Sequence, residues 1–164
     1  MSAQSQDRIV QVVELAAPPS RVWRAISDHE EFGTWFQVRL DNPFREGEVT
    51  RGHVTYPGHE HVEWESLTER LTPEELFVFS WPPSAVDAET DYAANAKMIV
   101  EFRLEPNAGG TRVTITESGF LQIPEPKRGE VLRANREGWE IQAKQIAEYL
   151  AGQGGLVGLR GRQL

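Results

Sequence analysis

The sequence contains no cysteine, which excludes disulfides, thiolate metal sites and a cysteine nucleophile. Basic residues are the scarcer charge. Seventeen Lys and Arg stand against 25 Asp and Glu, giving a formal net charge of −8 and an isoelectric point near 5.1. A generic binder of nucleic acid or of an anionic membrane needs the opposite sign, so neither partner is expected. No apolar run approaches the ~18 residues of a membrane-crossing helix, and the opening MSAQSQDRIV has no apolar core behind its charges. Membrane insertion and a secretory leader are therefore not expected, and the chain reads as cytoplasmic. The sequence also lacks a phosphate loop and a G-x-S-x-G nucleophile elbow. The glycines near its end miss the dinucleotide fingerprint, since the last glycine position falls on Val157. What is present is the composition of a folded protein. Thirty-nine per cent of the 164 residues are hydrophobic, with seven Phe, five Trp and three Tyr, enough for one domain with one real core.

Arg8 to Leu15 is rich in Val and Ile and reads as a strand. Pro18-Pro19-Ser20 ends it and opens a short helix over SRVWRAIS, because proline is tolerated in a first helical turn. Asp28 is an N-cap candidate for a second short helix, with Glu31 completing a capping box, and that helix carries Phe32, Trp35 and Phe36. From Glu48 the period changes to two. Strands are expected at Glu48–Tyr56, Val62–Leu71, Leu76–Trp81, Asn95–Glu105 and Thr111–Ser118. Short turns such as Pro57-Gly58 and Asn107-Ala108-Gly109-Gly110 make consecutive strands antiparallel. Pro82 to Ala94 is a longer loop, read as a rim. A long amphipathic helix follows over roughly Lys127 to Leu150, with Leu132, Trp139, Ala143, Ile146 and Leu150 as its apolar stripe. Residues 1–150 thus form a single domain, and residues 151–164, with five glycines, read as a flexible tail.

Alternation assigns the strand faces. Met98, Val100, Phe102 and Leu104 turn inward, as do Phe77, Phe79 and Trp81. On the last strand Val113 and Ile115 turn inward, and parity puts Glu117 on the same side. A carboxylate in an apolar interior costs several kcal/mol unless paired or hydrogen-bonded, roughly in the way of any buried charge. Glu117 therefore either reaches solvent or backbone groups at the strand end, or faces a ligand, or serves as an acid or base. On the long helix, Asn135 and Gln142 border the apolar stripe beside Trp139, as boundary residues or as the lining of a wet cavity. Gly138 is costly in a helix interior, and close packing on the sheet or room for a ligand would each explain it.

His53, His59, His61 and Glu63 cluster around one turn, but His61, Glu63 and Glu65 share the solvent side of their strand, so no metal site is expected. The string Asp87 to Asp91 begins like a calcium loop and fails, with Tyr92 where the turn glycine belongs. No cofactor is implied.

Several strings together resemble the START-like helix-grip superfamily, also called SRPBCC. They are Ala17-Pro18-Pro19 with Val22-Trp23, Trp35-Phe36, Thr55-Tyr56-Pro57-Gly58 running into Glu60-His61, and Phe79 with Trp81. Val100-Glu101-Phe102, Gly110-Thr111, Thr116-Glu117-Ser118-Gly119-Phe120, and Asn135 with Gly138-Trp139 complete the set. Within the superfamily the chain resembles the activator of heat shock protein 90 ATPase homologues, the AHSA-type C-terminal domain, over roughly residues 7 to 150. The resemblance implies an α+β helix-grip fold: a curved antiparallel sheet of six to seven strands around a long C-terminal helix, with two short helices after the first strand. It also implies an apolar cavity, which members of the superfamily use for lipids, sterols, polyketides and hormones. The eukaryotic activator contacts its chaperone through this domain and a separate N-terminal one, for which 164 residues leave no room. The family supplies no catalytic residue to carry over.

Three functions compete on these grounds. The leading expectation is non-enzymatic binding of a small hydrophobic molecule, lined by Trp35, Tyr56, Trp81, Met98, Phe102, Phe120, Asn135 and Trp139, with Glu117 as the polar anchor. The second is a protein-interaction or co-chaperone-like module with a chaperone partner, in keeping with a stress-response role. The third is a cyclase- or aromatase-like enzyme using Glu117 or a histidine as acid or base. Ligand identity and oligomeric state are not legible.

Overall fold

A computed structural model describes residues 7–82 and 97–155. Most of the expected rim loop, the Asp87–Asp91 string and tail residues 156–164 lie outside the described residues. The elements run β1 (Arg8–Leu15), α1 (Pro19–Ser27), α2 (His29–Phe36), β2 (Val38–Leu40), β3 (Val49–Val54), β4 (Glu63–Thr72), β5 (Leu76–Trp81), β6 (Met98–Asn107), β7 (Gly110–Ser118) and, after a single 3-10 turn at Phe120–Gln122, α3 (Glu125–Gly155). The seven strands form one antiparallel sheet in the order β1-β7-β6-β5-β4-β3-β2. Hairpins join β2 through β7 in sequence. The chain crosses from the β1 edge to the β2 edge through α1 and α2, and α3 lies against β1 and α2. This is the helix-grip arrangement, with two short helices after the first strand.

Local chemistry explains the helix ends. Pro19 occupies the first turn of α1, where its missing N–H loses no partner. The Asp28 carboxylate accepts from the backbone N–H groups of Glu30 and Glu31 at 2.8 and 3.3 Å, capping α2. The capping box is only half formed. The Glu31 carboxylate turns instead to Arg21 and Arg24, each at 2.9 Å, and to the Tyr149 hydroxyl at 2.8 Å, which stitches α1, α2 and α3 together. At the other end of α2, the side chains of Gln145 and Gln142 donate to the carbonyls of Trp35 and Phe36 at 2.6 and 3.4 Å. Two carbonyls that no further turn of α2 could satisfy are thereby bonded from α3.

Strand β2 and the 3-10 turn were not expected, because three residues are too few to show a period. Gly52 on β3 is what lets β2 come close: a Cβ there would stand 2.0 Å from the carbonyl oxygen of Arg39. The last helix exceeds its expected length, starting at Glu125 and continuing past Leu150 to Gly155. The boundary drawn at residue 150 falls inside it.

The inner face follows the expected parity. Met98, Val100, Phe102 and Leu104 are buried, as are Phe77 and Phe79, beneath Phe32 and Trp35 of α2. On the outward face of β5, Leu76 and Val78 are only half covered, while Ser80 is buried. Phe102 packs against Phe77, Phe79, Trp35 and Trp139 with ring centroids 5.9–6.5 Å apart. Its truncation removes the shared centre of that cluster. Phe102→Ala is expected to lower stability by about 3–5 kcal/mol, read as a shift of the urea unfolding midpoint; a loss below about 1 kcal/mol would mean the site collapses around the gap.

Candidate functional site: a carboxylate beneath an aromatic circuit

Strand β7 carries Val113, Ile115 and Glu117 to the inner face, and Glu117 is 1% exposed. It escapes neither to solvent nor to backbone. Its Oε1 accepts from the Trp139 indole N–H at 2.8 Å and from the Asn135 amide at 3.1 Å, and its Oε2 accepts from the Trp81 indole N–H at 2.9 Å. The donors come from α3 and β5, so one side chain ties the helix to the sheet. All three are neutral. Burial raises the Glu117 pKa above its ordinary value, and the three hydrogen bonds, those of Trp139 and Trp81 foremost, oppose the rise without cancelling it. Of the roughly four lone-pair positions on a carboxylate, the three donors use three, leaving one on Oε2.

Glu117 sits at the bottom of an open cavity of about 490 Å³ between α3 and the sheet, within the size range of small-molecule sites. Four aromatic side chains make a closed circuit along its wall. Phe36 meets Trp64 edge-on at 5.3 Å, Trp64 meets Trp81 at 5.1 Å, Trp81 meets Trp139 at 6.0 Å, and Trp139 returns to Phe36 at 6.1 Å. The helix side is completed by Asn135, Gly138 and Gln142. Gly138 settles between its two sequence explanations. A Cβ built there meets nothing within 4 Å, so close packing on the sheet does not require glycine, and the residue borders empty space.

The residues expected to gather around a ligand divide by depth. Trp81, Glu117, Asn135 and Trp139 line the cavity. Trp35, Met98, Phe102 and Phe120 are buried in the core and do not line it, and the Trp35 indole donates to the Ala25 carbonyl at 2.9 Å. Tyr56 is 51% exposed, beside His59 on the β3–β4 connection. Inward parity selects every residue beneath the helix and cannot distinguish those at the void from those packed behind it. Phe36, Val54, Val62 and Trp64 line the cavity and were not singled out. Trp64 does carry a sequence signal, since its alternation with Glu63 and Glu65 turns it inward. Phe36 depended on where α2 stops. A second hollow, between Leu15 and the β6–β7 turn, is bordered by exposed Asn107, Ala108, Gly109 and Arg112 and contains no comparable buried group.

The model of the family described as activator of Hsp90 ATPase homolog 1-like protein matches residues 16–151. The chain belongs to this family. Solved structures agree on the fold. Protein MLL2253 from Mesorhizobium loti superposes with a TM-score of 0.71 at 19% identity, over 91% of this chain and 99% of that one. NE0264 from Nitrosomonas europaea gives 0.71 at 20% identity, over 93% and 99%. DynU16, a protein of the dynemicin biosynthetic locus, gives 0.69 at 22% identity, over 90% of this chain and 48% of its own. No curated protein matches. Family and fold together support a ligand-binding or Hsp90-activator-like module. No helix among the described residues of this family member is long and apolar enough to cross a membrane.

The raised Glu117 pKa has a direction in stability. The folded state disfavours the charged form, so the group's contribution is fully present below its unfolded pKa and is lost as pH rises through the folded one. Measured against Glu117→Gln, the native chain is expected to lose relative stability as pH climbs above 4.5, with the difference levelling off above the folded pKa. Denaturant unfolding of both proteins across pH checks this, and a pH-independent difference would contradict it.

Proposed function

We propose that this AHSA-type domain is a non-enzymatic binder of a small, largely apolar molecule in the cavity between α3 and the curved sheet. The observation that carries the reading is the cavity itself: about 490 Å³, walled by a continuous aromatic circuit, and bordered by a glycine where the helix would be more stable with any ordinary residue. Most of the wall is apolar, and the polar groups are few and convergent, which is the usual constitution of a ligand site. The Glu117 carboxylate supplies orientation. With three of its acceptor positions engaged by Trp81, Asn135 and Trp139, it is held in one geometry and suits a binding role better than proton shuttling.

The family description favours a second reading, contact with heat shock protein 90. Its surface would be the exposed apolar residues Val10 and Val12 on edge strand β1. Adding the purified chain to purified heat shock protein 90 and following ATP turnover tests it; an unchanged rate counts against it.

Filling the cavity without touching the fold separates binding from packing. Gly138→Leu directs a side chain into the open space and raises helix propensity by about 1 kcal/mol. The variant is expected to unfold at or above the native temperature. Native mass spectrometry of the unmodified chain is expected to reveal a bound small molecule lost on unfolding, and the variant to carry none. Equal occupancy in the two proteins would remove the cavity from consideration.

A further inference from the structure

The cavity's charge is one-sided. Among the described residues, no lysine, arginine or histidine lines it, and its charged members are Glu117 at the bottom and Glu63 and Glu65 of β4 at the edge. Glu65 is already engaged, at 2.6 Å from Arg51, and both edge residues are exposed. Glu117 is different. It is buried, it has no cationic partner among its hydrogen bonds, and its donors are two indoles and an amide. An anionic ligand would meet a carboxylate in a site with no counter-charge, which desolvation makes prohibitive. A neutral hydrocarbon would cover the Glu117 carboxylate while supplying no positive charge to offset its burial.

The aromatic wall points the same way. Phe36, Trp64, Trp81 and Trp139 close on one another with neighbouring centroids 5.1–6.1 Å apart. A cation seated against such a circuit lies within about 6 Å of more than one ring, the range in which the negative ring faces attract it. Trp is the strongest of the aromatic partners. Two of these indoles also donate their N–H to the Glu117 carboxylate, which polarises electron density toward the ring faces and strengthens that attraction. The net charge of −8 adds a long-range bias of the same sign on the approach.

We infer that the cavity selects organic cations: molecules with an apolar body and an ammonium group, secondary to quaternary, that sits against the Phe36–Trp64–Trp81–Trp139 circuit and pairs with Glu117. The inference rests on the cavity being a ligand site and specifies the ligand's charge. The ammonium supplies the counter-charge that the protein withholds from Glu117, while the body displaces water from the aromatic wall.

Isothermal titration of the full chain with three naphthyl compounds of similar size tests it: the quaternary cation (2-naphthylmethyl)trimethylammonium, neutral 2-naphthalenemethanol and the anion 2-naphthaleneacetate. The cation is expected to bind about tenfold or more tighter than the alcohol, the size of a desolvated cation–π contact with a paired charge, and the anion weakest. Glu117→Gln is expected to erase the preference for the cation while leaving the alcohol's affinity within about threefold. Should that variant not fold, Trp81→Phe retains the carboxylate but removes one N–H and one indole face, and is expected to weaken the cation more than the alcohol. The quaternary cation cannot titrate, so its affinity in the native chain is expected to fall with falling pH as Glu117 takes up a proton, beginning above 4.5. The exposed edge carboxylates Glu63 and Glu65 are the other titratable groups bordering the cavity, and Glu117→Gln retains whatever pH dependence they contribute. Equal affinities for cation and alcohol, or tightest binding of the anion, would overturn the inference and leave hydrophobic binding standing. If none of the three binds, the ligand site and the inference fall together.

Discussion

The bonding of Glu117 is the constraint on which the centre of this domain depends. A carboxyl group that is 1% exposed must have its oxygens satisfied, and among the described residues its donors are Trp81 on the sheet and Asn135 and Trp139 on α3. Each of those bonds fixes an indole or amide whose orientation would otherwise be free. The rotation of α3 about its axis follows, because Asn135 and Trp139 lie one turn apart and must both face β7. So does the tilt of Trp81 against Trp64 and Trp139, and with it the shape of the aromatic wall. The cavity is thus a consequence of how one polar group is accommodated, together with a glycine that leaves space beside it.

The same group gives the site an electrostatic imbalance. Three neutral N–H donors stabilise the carboxylate but do not offset its burial, and the pKa stays raised. Elsewhere the chain pairs its charges directly: Glu31 with Arg21 and Arg24, Glu65 with Arg51, Glu14 with Arg112. Those pairs are partly or largely exposed, where ion pairs contribute little. Among the described residues, Glu117 is the one buried carboxyl, where a counter-charge would matter most, and no cation pairs with it there. A protein under selection for stability alone would do better with an apolar residue of similar volume at this position.

Membership of the activator of Hsp90 ATPase homolog 1-like family and the likeness to bacterial structures near 20% identity establish the fold. Neither the family nor the fold specifies the four-ring circuit or the donor set of Glu117, which belong to this chain's own residues.

Much of the architecture was legible along the chain. Strand β1, helix α1, strand β5 and the antiparallel course of β3 to β7 follow from period-two and helical patterns bounded by Pro, Gly and Asp. Parity alone put Glu117 inside, and the polar flank of α3 marked Asn135 and Gln142. Other features had no local signature. Strand β2 exists because Gly52 admits the neighbouring backbone, the Glu31 carboxylate leaves its expected cap for two arginines and a tyrosine brought up by tertiary packing, and α3 runs beyond Leu150. Most importantly, alternation reports which side of a strand a residue occupies but carries nothing about depth. Met98 and Phe102 satisfy the same alternation as Trp64 and Trp81, yet the first pair packs solidly while the second lines the cavity. The faces were readable along the chain, because side-chain direction is a property of the local backbone. Where the interior stays unfilled emerged from packing, because a void is set by the distances between elements that no short stretch of chain encodes.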